Sequence, residues 1–205
     1  MESSGQGEGE RIEDESFRYI ESKISRPYPE GEIVKRVVHA TADFTLADSI
    51  VFKGDAVAIG IEAIRNGGNV VTDVKMVAAG IKSKELKKLG GRVKCFIDEE
   101  DTIALASKEK ITRSKAAFRA HGDEITGNIV AVGNAPTALF EVCELIEQDL
   151  TPALVVAAPV GFVGAKEAKE KILAYDVPCI ALRGERGGSP VAASMVNALI
   201  SLTMR

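Results

Sequence analysis

The chain has no tryptophan, and aromatic residues make up 5% of its 205 positions. A core without aromatic bulk has to be filled by Val, Ile, Leu and Ala. That aliphatic bias favours buried parallel strands covered by helices over an aromatic-rich antiparallel sandwich. Histidine is nearly as scarce, with His39 and His121 alone. The three cysteines, Cys95, Cys143 and Cys179, are far apart and form no CxxC pair. Two histidines and scattered thiols argue against a structural zinc site, and an odd thiol count argues against a disulfide framework. The cysteines read as reduced, mostly buried thiols. A basic excess is missing as well, the formal net charge being −4. This counts against nucleic acid or an anionic membrane as partner, although a small anionic ligand needs only a few local cations. The opening segment MESSGQGEGERIEDE is acidic and has no apolar core. It reads as neither a signal peptide nor a membrane span, so a cytoplasmic protein is expected. Residues 1–10 are expected to be a disordered acidic tail.

Two phosphate-binding fingerprints are also missing. No G-x-G-x-x-G follows a strand-like run, and no G-x-x-x-x-G-K-[ST] occurs. The string Gly5-Gln6-Gly7-Glu8-Gly9 is linker-like. An NAD- or ATP-using enzyme is disfavoured on this ground.

The composition that is there, 45% hydrophobic and 27% charged, suits a soluble core. The length suits one domain, taken as 11–205 with 11–30 as an N-terminal arm. Phe17, Ile20 and Ile24 share the face of a helix over 12–24, which Pro27 and Pro29 end. A second helix carries Ile33, Val34, Val37 and Val38 up to His39. Asp43 and the residues after it read as a loop or short turns, and Gly54 precedes a helix that stops at 66–68. Strand-like runs then alternate with helical ones: strands at 69–73, 92–98, 127–133, 153–159 and 178–182, and a last helix from Pro190 towards Leu202. The pattern predicts an α/β fold with three layers, a mostly parallel central sheet with helices on both faces. Ligands of such folds sit beyond the carboxyl ends of the strands. VTD, VGNAPT, APVGFVG and LRGERGGSP fall there and read as a shared pocket rim.

Each rim motif has a functional and a plain reading. In VGNAPT (132–137), N–H groups at the helix start near Asn134 can receive an anion, or the segment is ordinary turn chemistry with Pro136 in the first turn. In RGERGGSP (183–190), Arg183 and Arg186 can clamp carboxylates, or form a solvated loop with Glu185. In ITRSKAAFR (111–119), Thr112 suits an N-cap, with Arg113 and Ser114 behind it. His39, in VVHATAD, either handles a proton near neutral pH or ends a helix, and nearby Asp43 is a candidate to orient it. His121, in RAHGDE, reads as a helix-end surface residue.

Taken together, RVVHATADF (36–44), TDVKMVAAGI (72–81), ITRSKAAFR (111–119), GNAPTALFEV (133–142), PVGFVGAKEAKE (159–170) and RGERGGSPVAASMVNAL (183–199) resemble the precorrin-8X methylmutases of cobalamin biosynthesis. The resemblance covers nearly everything after the first ten residues. It implies an isomerase that moves a methyl group from C11 to C12 of a corrinoid macrocycle, giving hydrogenobyrinic acid, or cobyrinic acid when cobalt is bound. It implies no cofactor, with cobalt present only as part of the substrate. By the same resemblance His39 is the essential histidine, and Arg113, Ser114 and Ser16 contact substrate. Lys82 stands where the family often has a hydroxyl residue, and as a cation it suits a carboxylate instead. Thr41-Ala42 is a mild variation after the histidine. The family is homodimeric, which makes the arm at 11–30 a candidate to cross to a partner. The chemistry is compatible with these residues. A methyl shift along a conjugated ring needs no redox partner, and one imidazole can bias it by protonating a ring nitrogen. Arg113, Arg183, Arg186 and the segment around Asn134 would meet the anionic side arms. A nucleotide-using transferase or dehydrogenase and a non-catalytic tetrapyrrole carrier are the competing readings. Overall resemblance favours the cobalt-bearing substrate over the metal-free one.

Overall fold

The computed structural model describes residues 7–205. Residues 1–6 of the expected acidic tail lie outside the described residues. Helix α1 (Glu8–Glu21) opens earlier than the apolar spacing predicts, with Glu8 and Glu10 in its first turn, where negative charge suits a helix start. It also ends earlier, so Ile24 packs on the core from beyond the helix. Helix α2 (Glu30–Thr41) buries Ile33, Val34, Val37 and Val38 on one face. In the chain described here the 11–30 segment lies against α2: Ile20 is buried, Arg36 pairs with Glu13 at 3.4 Å and Lys35 with Glu21 at 2.5 Å.

The stretch read as a loop after Asp43 holds a 3-10 helix (Phe44–Ser49) and then a strand, β1 (Ile50–Lys53). Next come α3 (Ala56–Arg65), β2 (Val70–Thr72), α4 (Lys75–Gly80), α5 (Ser83–Lys88) and β3 (Val93–Lys94). They lead into α6 (Glu100–Glu109), α7 (Arg113–Ala120), a second 3-10 helix (Gly122–Ile125), β4 (Ile129–Val132) and α8 (Pro136–Ile146). The chain continues through β5 (Leu154–Ala157), α9 (Ala165–Ala174), β6 (Cys179–Leu182) and α10 (Ser189–Thr203). The strand order is β1-β6-β5-β4-β2-β3. All neighbours run parallel except β1, whose Ile50 lies opposite Leu182 in an antiparallel pair with β6. Strand β3 pairs only with β2, through Val93 and Lys94, so the expected strand over 92–98 contracts to two residues.

Strand alternation sorts the core into two layers. Ile129, Ala131, Leu154, Val156, Ile180 and Leu182 join one cluster with residues of α2, α3, α4 and α10. Val130, Val132, Val155, Ala157, Cys179 and Ala181 join the other with residues of α7, α8 and α9. Both faces are therefore covered, as in α/β sheets generally, and each fully buried Val, Leu or Ile contributes roughly 1.5–3 kcal/mol. Helices α4 and α10 approach closely, since a Cβ on Gly80 would lie 2.8 Å from that of Ala193. On the other side, buried Glu141 of α8 receives a bidentate pair from Arg119 of α7 at 2.7 and 2.6 Å. Among the described residues no helix is long and apolar enough to cross a membrane.

Candidate functional site

His39 lies at the end of α2, which Ala42 terminates in the left-handed conformation. It is exposed on an open cleft of about 410 Å³ lined by Ser16, Tyr19, Ile20, Val38, His39, Ala42 and Phe44. Helices α1 and α2 frame it: the Phe17 and His39 rings are 4.8 Å apart and tilted by 49°. Ser16 lies on the lip, its hydroxyl donating to Ile12 O at 2.8 Å. Among the described residues the His39 ring makes no hydrogen bond or ion pair. The suggestion that Asp43 orients it is therefore overturned. The Asp43 carboxylate caps the first 3-10 helix, accepting from Thr45 N at 2.9 Å and Thr45 Oγ1 at 2.7 Å, and it pairs with Arg186. A second cavity of about 420 Å³, lined by Gly68, Asn128 and Ala153 among others, opens at the amino ends of β2, β4 and β5. It contains no candidate residue.

The turns that follow β4 and β6 carry Asn134, Arg183 and Arg186, while Arg113 and Ser114 open α7 and Lys82 lies between α4 and α5. The Arg186 guanidinium also donates to Thr45 Oγ1 at 2.5 Å, which brings the 183–188 loop alongside the segment that holds Phe44 on the His39 cleft. Arg183 N donates to Ser49 O at 2.9 Å, and its side chain pairs with Glu170 at 3.2 Å. Arg113 opens α7 behind Thr112, which caps the helix as expected by accepting from Lys115 N at 3.2 Å. Thr112 also bonds Thr137 of α8 at 2.7 Å. The Arg113 head reaches Asp98 at 3.0 Å, and Lys75 pairs with the same carboxylate. The Lys75 ammonium, with Arg113 beyond it, holds the Asp98 carboxyl below the ordinary aspartate value. Ser114 is buried, in contrast to its neighbour. Lys82 exposes its side chain, and its backbone N–H donates to Asn197 Oδ1 at 2.8 Å. All three candidate arginines thus already face a carboxylate. These pairs are partly solvated, so a ligand carboxylate can exchange with them.

The turn after β4 behaves differently from the expectation. The Gly133, Asn134 and Ala135 N–H groups donate to Asp73 at 3.0, 2.9 and 2.7 Å. Asp73 is fully buried, and burial pushes its carboxyl up, against the three backbone donors that favour its charged form. The N–H groups read as an anion site are therefore occupied by the protein's own carboxylate, and only the exposed Asn134 side chain remains for a ligand. Asp73 was missed as a site residue, although an acidic residue ending the apolar strand VVTD was a signal for it.

Lys169 was missed too. It is fully buried in α9 and donates to Pro159 O at 2.9 Å and Arg186 O at 2.8 Å, tying the loop after β5 to the loop after β6. Burial lowers its ammonium to about 8. The signal was its place on the inward stripe Ala165, Ala168, Lys169 and Ile172. His121 takes the plain role expected: it ends α7, stacks on Phe96 at 4.2 Å and reaches Asp101 at 3.2 Å. The three thiols are free, Cys143 and Cys179 buried and pushed up to about 12. The structure thus brings Ser16 to His39, and Arg186 to the edge of their cleft. Among the described residues no hydrogen bond or ion pair joins His39 to Arg113, Lys82 or Asn134.

A sequence-family model described as Precorrin-8X methylmutase matches residues 11–202. A Cobalt-precorrin-8 methylmutase from Priestia megaterium is 40% identical over 195 residues, covering 93% of this chain and 86% of its own. A protein of the same description from Methanocaldococcus jannaschii is 44% identical over 170 residues, covering 82% and 78%. The solved structure of precorrin-8x methyl mutase from Thermus thermophilus superposes with a TM-score of 0.86 at 36% identity, covering 94% of this chain and 97% of that one.

Proposed function

Because the chain belongs to the precorrin-8X methylmutase family, we propose that it is the isomerase that moves a methyl group from C11 to C12 of precorrin-8X or cobalt-precorrin-8. The observation that carries the reading to particular atoms is His39, exposed on an apolar cleft with its ring nitrogens engaged by no other described residue. Substrate and product are isomers, so atoms balance without a co-reactant. The methyl group leaves C11 with its bonding pair and joins C12, while the double bonds of the ring shift to compensate. A proton delivered by the His39 imidazolium to a ring nitrogen draws electron density in the required direction and returns to the imidazole once C12 holds the methyl group, and such positioned proton transfer contributes about 10²- to 10⁴-fold. Phe17 packs beside the imidazole, the ring centroids 4.8 Å apart. Arg113, Arg183, Arg186 and Lys82 receive the carboxylate arms, with Ser16, Ser114 and the Asn134 side chain as polar partners. Cobalt, where present, belongs to the substrate. The reading includes a cytoplasmic location, in keeping with the lack of any signal-like or membrane-spanning segment among the described residues, and a homodimer, which the resemblance implies and which sedimentation at the mass of one chain would remove.

The test offers the purified protein each form of the substrate and follows the macrocycle's absorption. The unsubstituted protein converts at least one form. His39→Ala lowers conversion by about 10²-fold or more while still binding the macrocycle. Conversion of neither form by the unsubstituted protein sinks the reading, and unchanged conversion by the variant sinks the role of His39. Binding without conversion by the unsubstituted protein points instead to a carrier.

A further inference from the structure

Phe162 and Val163, at the tip of the loop between β5 and α9, are 96% and 89% exposed. Among the described residues neither joins a core cluster. The loop that carries them is nonetheless firmly based. Gly161 N donates to Glu185 O at 3.0 Å, and Gly188 N to Ala158 O at 2.8 Å. Lys169 adds its two bonds from below, to Pro159 O and Arg186 O. No side chain fits at Gly187, where a Cβ would lie 2.3 Å from Ala158 O. The 159–164 and 183–188 loops are therefore one unit. It presents an aromatic-aliphatic tip together with the Arg183 and Arg186 guanidinium groups, at the carboxyl edge of the sheet. An apolar contact held beside two cations is complementary to a ligand that is apolar and flat at its centre and carboxylated at its margin.

We propose that Phe162, with Val163 beside it, packs on the apolar face of the macrocycle while the same loop unit holds the macrocycle's carboxylate arms. This rests on the methylmutase reading and adds the binding element for the ring face. Phe162 contributes affinity and placement, with no part in proton transfer.

The absence of tryptophan makes the test clean. Phe162→Trp installs a single indole, whose emission is expected to move to shorter wavelength and to quench on addition of hydrogenobyrinic acid. Phe162→Ser is expected to raise the dissociation constant for that acid about tenfold or more, and Phe162→Leu to restore most of the loss. Since the side chain is almost wholly exposed, the variants fold. An indole that keeps its water-exposed emission in the bound state, or unchanged affinity in Phe162→Ser, overturns the proposal. So does a Phe162→Ser protein that changes its sedimentation while binding the acid normally, which would assign the tip to a contact between copies of the chain. If the unsubstituted protein binds neither hydrogenobyrinic acid nor the substrate, the methylmutase reading fails and the proposal with it. Normal binding by the unsubstituted protein confines any failure to Phe162.

Discussion

Two loops at the same edge of the sheet are anchored by buried charges of opposite sign. After β4, the Asp73 carboxylate gathers three backbone N–H groups. After β5 and β6, the Lys169 ammonium gathers two backbone carbonyls. Both groups are fully buried, and burial moves both towards neutrality, Asp73 upward and Lys169 down to about 8. The outcome differs because of what each anchor consumes. Asp73 uses the donors that would otherwise receive an anion, so its turn is closed to one. Lys169 uses carbonyls and leaves the loop's own cations and apolar tip facing outward. Turns at one edge of a sheet can therefore end as a closed clasp or as a loop with its cations and apolar tip outward. The partner buried beneath them decides which.

The largest effect is expected from removing the clasp. Asp73→Ala strands three donors at about 1–3 kcal/mol for each that stays buried, so a loss on the order of 3 kcal/mol or more is expected in urea unfolding. Asp73→Asn keeps one accepting oxygen and costs less. An unshifted urea midpoint in Asp73→Ala would show that water satisfies the turn equally well, and the contrast between the two loops would be lost.

Lys169→Met separates stability from binding. It removes two hydrogen bonds but also a desolvated cation, so stability changes by only about 1–2 kcal/mol. Macrocycle affinity falls further than that stability change implies, because the tie between the two loops is reduced to the Gly161 N to Glu185 O and Gly188 N to Ala158 O bonds. The variant also carries a pH signature. The folded-state value of Lys169 is about 8, below the ordinary value of 10.5. Between these values the unfolded chain binds a proton that the folded one does not, so this group makes stability rise with pH from about 8 to 10.5. The increment fades as pH falls through 8. The difference between the unsubstituted protein and Lys169→Met in thermal unfolding across that window isolates it. A neutral amine keeps two N–H donors for its two carbonyls, so the tie itself survives loss of the proton. A pH-independent difference would return Lys169 to an ordinary charged anchor.

The smallest effect is expected at Asp43. Asp43→Asn keeps an oxygen for the Thr45 cap and removes only the charge facing Arg186. Stability changes by about 1 kcal/mol or less. The pH profile of conversion stays in place, because Asp43 does not touch His39. A displaced acid limb would reinstate Asp43 as the histidine's partner.

The sequence displayed what is local and buried on both sides. IVAV, LVVA and CIAL are continuous apolar runs because β4, β5 and β6 are covered on both faces. Strand β1 escaped because only Ile50 of its four residues is buried, and an antiparallel edge strand leaves a weaker pattern. Strand β3 was overdrawn because Cys95 and Phe96 continue its apolar run without a partner to extend the pairing. At the site, the Thr112 cap and the placement of His39 at a helix end were readable from neighbours in sequence. The pairings Asp98–Arg113, Asp43–Arg186 and Asp73 with the 133–135 turn were not. Each joins residues from different turns, and contacts of this kind leave no periodic trace.

One reversed strand decides where the amino-terminal third of the molecule delivers its chemistry. In a parallel strand the preceding segment arrives at the amino edge, and only the following one reaches the carboxyl edge. Because β1 runs against β6, Ser49 meets Arg183. The segment from His39 to Ser49 is thereby turned towards the edge where the other strands release their loops. A single inversion of polarity at the sheet margin lets residues that precede the first crossover in the chain share a frontier with those near its end.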